Sequence, residues 1–174
     1  MVGDSMKLEE ILENPYILIT NKKITNVQEI LPIIEKVSQT SRPLVLIVYD
    51  IEGEALATLI VNKMRGTFNS IAIKAPSFGE GRKEILEDVA IATGGKLIDE
   101  EIQIDLKDIE LEDLGSAKSV KISKDSTIIL RGNGDEEQIS KRIEETKTNI
   151  LSQSDESEIK RLRRRLARLL GGVA

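Results

Sequence analysis

Residues 42–50, RPLVLIVYD, hold an almost unbroken apolar run. A strand with apolar groups on both faces is stable only where both are covered, as in a sheet flanked by helices on either side. Three further short strands are predicted near it: PYILIT (15–20), bounded by Asn14-Pro15 and Asn21, SIAIKA (70–75) and KLID (96–99). Helical segments separate them. TNVQEILPIIEKVSQ (25–39) has Thr25 as a cap with Gln28 three residues on. Its Pro32 predicts a kink, or a regular helix that begins only near Glu29. GEALATLIVNKMRG (53–66) reads as one helix, and GRKEILEDVAIATGG (81–95) as another that stops at paired glycines. This alternation over 15–99 predicts an α/β layered core.

The pattern then changes. Residues 100–117 are acidic and poorly periodic. KSVKIS and STIILRG flank Lys124-Asp125, which predicts a β-hairpin. Beyond Gly132-Asn133-Gly134, residues 135–152 and 155–170 read as a helical hairpin. Ile139, Ile143 and Ile150 line one member; Ile159, Leu162, Leu166 and Leu169 line the other. No internal repeat or low-complexity segment is visible.

Composition removes several chemistries. The chain of 174 residues has neither cysteine nor histidine. Disulfides, zinc-thiolate sites and thiol nucleophiles are therefore excluded, as are imidazole bases and Ser-His-Asp triads. An enzyme here would need carboxylates, lysine or a phosphate loop. A net charge of -5 argues against a general nucleic-acid binder, and 2% aromatic residues leave little for base stacking. No apolar run reaches the length of a membrane span, and MVGDSMKLEE lacks a signal-peptide core. The absence of cysteine fits a reducing compartment.

Three clusters invite a functional reading. APSFGEGRKE (75–84) is Gly-rich and leads from a strand into a helix, so Gly79–Lys83 could cradle a phosphate. It matches neither standard phosphate-loop pattern, and a plain strand-to-helix turn is the simpler reading. Asp50, Glu52 and Glu54 could ligate magnesium in an α/β enzyme. They also stand at the start of a helix, where negative charge is favoured anyway. KRLRRRLARLL (160–170) carries six basic residues and could lie on a membrane or nucleic acid. The simpler account pairs it with Asp135, Glu136, Glu137, Glu144 and Glu145 on the neighbouring helix.

The helix at 53–66 is the remaining oddity. Leu56, Ile60 and Met64 form one stripe, widened by Ala57 and Val61 on one side and Leu59 and Ala55 on the other. The apolar arc covers roughly 240° at 100° per residue, more than one core contact needs. Either the helix is sandwiched and fully buried, or one edge lines an exposed apolar groove, the usual mark of a binding site. Helix 25–39 offers a second wall. Its own arc, from Ile33 through Val37, Ile30, Ile34 and Val27 to Leu31, is about 160° wide.

These residues carry a resemblance. DIEGEALATLIVNKMRGTFN followed by IKAPSFGEGRKEILEDVAIATGG resembles the apical domain of the group I chaperonins, the GroEL type. ENPYILITNKKITNVQEILPIIEKV and the closing RLARLLGGVA agree with it, so the likeness spans nearly the whole chain. It implies a layered apical-type α/β fold: a core sheet flanked by helices, a β-hairpin and a C-terminal antiparallel helical pair. Residues 1–134 would form the body, 135–170 the helical pair and 171–174 the return toward an intermediate domain.

The resemblance also implies an excised domain that binds non-native polypeptides and the mobile loop of a GroES-type co-chaperonin. Both would sit in an apolar groove between helices 25–39 and 53–65. Carried over, the groove residues are Leu31 and Ile34 on the first helix and Leu56, Ile60 and Val61 on the second, with Leu59, Ala55 and Met64 turned to the core. ATP and magnesium would belong to equatorial and intermediate parts of the parent, a heptameric double ring of the bacterial cytoplasm or an organellar matrix. The domain itself would be a monomer with no ATPase, no cofactor and no nucleic-acid or membrane partner. Three departures stand out. The family usually has glycine where Ser77 stands and aspartate-arginine-arginine at Glu80-Gly81-Arg82. An aromatic-bearing segment that precedes the family's first apical strand is also missing.

Overall fold

The apolar run at 42–50 becomes a central strand whose five residues are all buried. The computed structural model describes residues 9–76, 79–99, 104–123 and 126–171. In chain order its strands are β1 (Glu9–Glu13), β2 (Tyr16–Thr20), β3 (Lys23–Ile24), β4 (Leu44–Val48), β5 (Asp50–Ile51), β6 (Ser70–Lys74), β7 (Leu97–Ile98), β8 (Gly115–Ser123) and β9 (Thr127–Gly132). Its α-helices are α1 (Leu31–Ser38), α2 (Gly53–Met64), α3 (Gly79–Thr93), α4 (Glu136–Ser152) and α5 (Glu156–Gly171).

β4 lies between β2 and β6, parallel to both, with Tyr16, Leu44 and Ser70 in register. β8 runs antiparallel to β1 and to the start of β2, and pairs with β9 on its other edge. The result is a mixed α/β fold on a curled sheet ordered β1-β8-β2-β4-β6, with β7 added to β2 and β9 to β8. Lys23–Ile24 and Asp50–Ile51 form a separate two-stranded sheet.

Alternation along β4 sorts two cores. Leu44, Leu46 and Val48 pack with Ile33, Ile34 and Val37 of α1 and with Ala55 and Leu59 of α2. Val45 and Ile47 pack on the other face with Leu86, Val89 and Ala90 of α3. Helices thus cover both faces, as an all-apolar strand requires. The acidic stretch after 100, where described, is two short 3₁₀ turns (Leu106–Asp108 and Leu111–Asp113) that bury Leu106 and Ile109 in the first core.

Several expectations need correction. Helix 25–39 is not continuous: a 3₁₀ turn at Val27–Glu29 precedes α1, and the regular helix starts only at Leu31, the late start that Pro32 in its first turn allows. There a missing N–H costs nothing. The cap is Asn26, whose side chain accepts from the Gln28 amide at 2.9 Å, rather than Thr25. Strand β1 was not foreseen; Asn14, at φ 52°, separates it from β2. The hairpin β8–β9 forms as expected, with Lys124-Asp125 outside the described residues.

The helical pair forms and rests on α3, but its charges are matched differently. Asp88 of α3 accepts from Arg165 Nε at 2.7 Å and Nη2 at 3.0 Å, and from Arg142 Nε at 2.7 Å. Arg142 also reaches Glu87 at 3.2 Å, and Arg161 pairs with Glu84. The acids of α4 stay exposed. The basic helix therefore finds its counter-charge on α3, because its buried face turns Arg165 inward with Leu162 and Leu169. Where α3 ends, glycines allow backbone contact. A Cβ on Gly115 would lie 2.2 Å from Thr93 Oγ1, and one on Gly134 would lie 2.1 Å from the Ile91 carbonyl oxygen.

Candidate functional site

The double-sided helix is where chemistry and geometry meet. In α2, Ala55 is fully buried and Leu59 is 3% exposed, so these two make the core contact. Leu56 is half-buried against that core. Ile60 and Val61 are 40% and 44% exposed, which settles the sandwiched alternative against full burial. Met64 departs from its expected place in the core: it is 82% exposed. The reason is rotation. Each i to i+4 step turns about 40° around the helix, so a stripe that starts half-buried at Leu56 faces away from the core by Met64. The outward side of α2 is then Ala57, Ile60, Val61 and Met64, all exposed.

Across from it, α1 offers less than the wheel suggested. Ile30, Ile33, Ile34 and Val37 form the i, i+3, i+4, i+7 stripe of this segment, and that stripe faces the core. Ile34 is only 7% exposed, contrary to a role as an open groove wall. Leu31, one position off the stripe, is half-buried. The accessible apolar surface is therefore the outer side of α2 with Leu31 and Leu56 at half-buried margins, and Ile34 lies beneath it.

The other candidate clusters are held in ion pairs or helix geometry. Asp50 pairs with Lys74 at 3.2 Å, and that hydrogen bond holds its carboxyl below the ordinary range. Glu52 pairs with Lys23 at 2.9 Å, which raises the lysine pKa. Glu54 is exposed in the first turn of α2. Among the described residues no group of three or more acidic side chains converges as a metal-ligand set. Gly79–Lys83 forms the first turn of α3; Arg82 stacks on Tyr49 at 4.2 Å and Lys83 bonds the buried Asp99 at 3.1 Å. Ser77 lies outside the described residues. No described helix is long and apolar enough to cross a membrane.

The fold is mixed α/β and, among the described residues, leaves the apolar outer side of α2 without a partner. No protein-family model matches the chain.

Proposed function

We propose that this chain is the polypeptide-binding, apical-type domain of a group I chaperonin of the GroEL type. It captures exposed apolar segments of non-native polypeptides, and the mobile loop of a GroES-type co-chaperonin, on the outer side of α2 and its margin at Leu31. The observation that supports this reading is the exposure of Ile60 and Val61 on a helix that already makes its core contact through Ala55 and Leu59.

Binding on such a face is mostly apolar burial, at roughly 25 cal/mol per Å². It selects exposed hydrophobic surface without selecting a sequence, which is what separates a folding intermediate from a native protein. A single face binds weakly, and assembly into a ring multiplies avidity by roughly 10²–10⁴. In this reading Leu31, Leu56, Ile60 and Val61 touch the ligand, and Ile34 supports them from below. ATP and magnesium act in other domains of the assembled heptameric double ring, in the bacterial cytoplasm or an organellar matrix. This domain performs no chemistry of its own.

The test compares Leu31→Glu and Ile60→Glu with the unmodified chain in capture of a chemically denatured protein. Both variants should keep their denaturation midpoint and lose capture, because an apolar ligand would have to desolvate the new carboxylate. Capture retained by both, with the fold intact, would place the site elsewhere. Titration with magnesium-ATP in a calorimeter should give no saturable heat at micromolar concentration; saturable binding would favour the nucleotide-binding alternative.

A further inference from the structure

The outer side of α2 has a regular form. Ala57, Ile60, Val61 and Met64 follow one another at i, i+3, i+4 and i+7, the anchor spacing by which one helix lies against another. All four are exposed, and no charged side chain interrupts them. Charge stands at the two ends instead: Glu54 in the first turn and Arg65 just past the last. At 100° per residue these two lie about 20° apart around the helix, on the same flank of the apolar strip. Both are exposed, and neither forms an ion pair among the described residues.

Such a strip is complementary to itself. When a second α2 is laid antiparallel on it about a two-fold axis, Ile60 and Val61 each meet their own counterpart beside the axis, and the small Ala57 meets the long Met64. The same operation brings each Glu54 to the other copy's Arg65, twice. A two-fold contact has this reciprocity by construction, and opposite charges at opposite ends of one flank fix the antiparallel sense.

We propose that two copies of this chain associate through antiparallel contact of their α2 helices, closed at each end by a Glu54–Arg65 ion pair. From Ala57 to Met64 the strip rises only about 10 Å. The contact is smaller than a standard interface, so the chain is a monomer in dilute solution and pairs as concentration rises. The pairing does not rest on the functional reading above. It does cover Ile60 and Val61, so paired chains hide the surface that reading assigns to substrate.

Sedimentation equilibrium of the full chain alone, from about 10 µM to about 1 mM, tests it. The weight-average mass should rise toward that of a dimer. Arg65→Glu and Glu54→Arg each place like charges at both ends and should weaken association by about tenfold. The combined Glu54→Arg/Arg65→Glu chain should regain it, and so should an equimolar mixture of the two single variants, as a heterodimer. Unchanged thermal midpoints show that the variants stay folded. A monomer at every concentration overturns the proposal. So does association that the single variants leave unchanged, or that neither the double variant nor the mixture restores.

Discussion

Leu59 and Ile60 are neighbours in the chain and live in different solvents. Leu59 is 3% exposed and Ile60 40% exposed. Leu59→Ala removes a packed side chain and should cost about 2–5 kcal/mol. Leu59→Glu should leave no folded population, since its carboxylate would be buried without a partner. Ile60→Glu should cost no more than about 1 kcal/mol, as a surface change does. Urea denaturation of the three variants checks the ordering; equal losses at the two positions would mean that both are core. The over-wide apolar arc signalled two apolar sides but left open whether both were covered; the assignment of Leu59 to the core and Ile60 to the outside was what the resemblance implied. Met64 and Ile34 could not be placed so easily. A wheel shows which residues share a stripe but not where the core lies relative to it, and only the packing of Ala55 against β4 fixes that direction for α2.

At the scale of elements, the hairpin α4–α5 is tied to α3 by a cluster of ion pairs. Asp88 receives hydrogen bonds from two arginines, Arg142 and Arg165, and Arg165 is almost fully buried. Asp88→Ala leaves Arg165 with only the Glu84 carboxylate at 3.4 Å and Arg142 with only the Glu87 carboxylate at 3.2 Å, so its cost should approach but not exceed the about 3–5 kcal/mol of a broken buried pair. Hydrogen exchange should then rise first in α4 and α5. Glu145→Ala, on the exposed side of α4, should leave exchange unchanged. If the two variants behave alike, the carboxylates of α3 do not hold the hairpin. The two helices and their opposed charges were visible in the sequence, but not which acids answer the arginines. Glu84, Glu87 and Asp88 recur at i, i+3, i+4 on one side of α3, and that spacing was the available signal. β1 left a fainter trace. Three glutamates and two aliphatic residues read as surface chain, and pairing with β8 rather than its own propensity makes it a strand.

For the whole molecule, an all-apolar β4 and the alternation around it were enough to anticipate helices on both faces of a sheet. The antiparallel side, where β8 joins β1 and β2, depends on pairings between residues about a hundred positions apart, which local pattern does not encode. Acid should loosen this molecule in one direction only. A hydrogen bond from Lys74 lowers the Asp50 pKa, one from the Glu110 amide lowers that of Asp113, and the Ser157 side chain lowers that of Asp155. Groups with depressed native pKa values add stability that is complete above their unfolded value, about pH 4, and is lost as pH falls through the native values. Urea midpoints should therefore be flat from pH 7 to about pH 5 and fall below about pH 4. A midpoint that rises on acidification would contradict these contacts.

The arginine anchors of α5 also have a mechanical meaning. Arg161 and Arg165 clamp the middle of the helix to α3, while beyond them, among the described residues, Leu169 alone is buried and Leu170 is 60% exposed. Tension applied at the far end of α5 would peel its last turn at low load, then meet a catch at Arg165, where two carboxylates must be released together. In a force-extension trace the helix should yield in two steps, and the second should fall to the lower load of the Arg161–Glu84 pair in Arg165→Met. The last turn of α5 is thus held by the packing of Leu169, and the charged clamp begins one turn inside it.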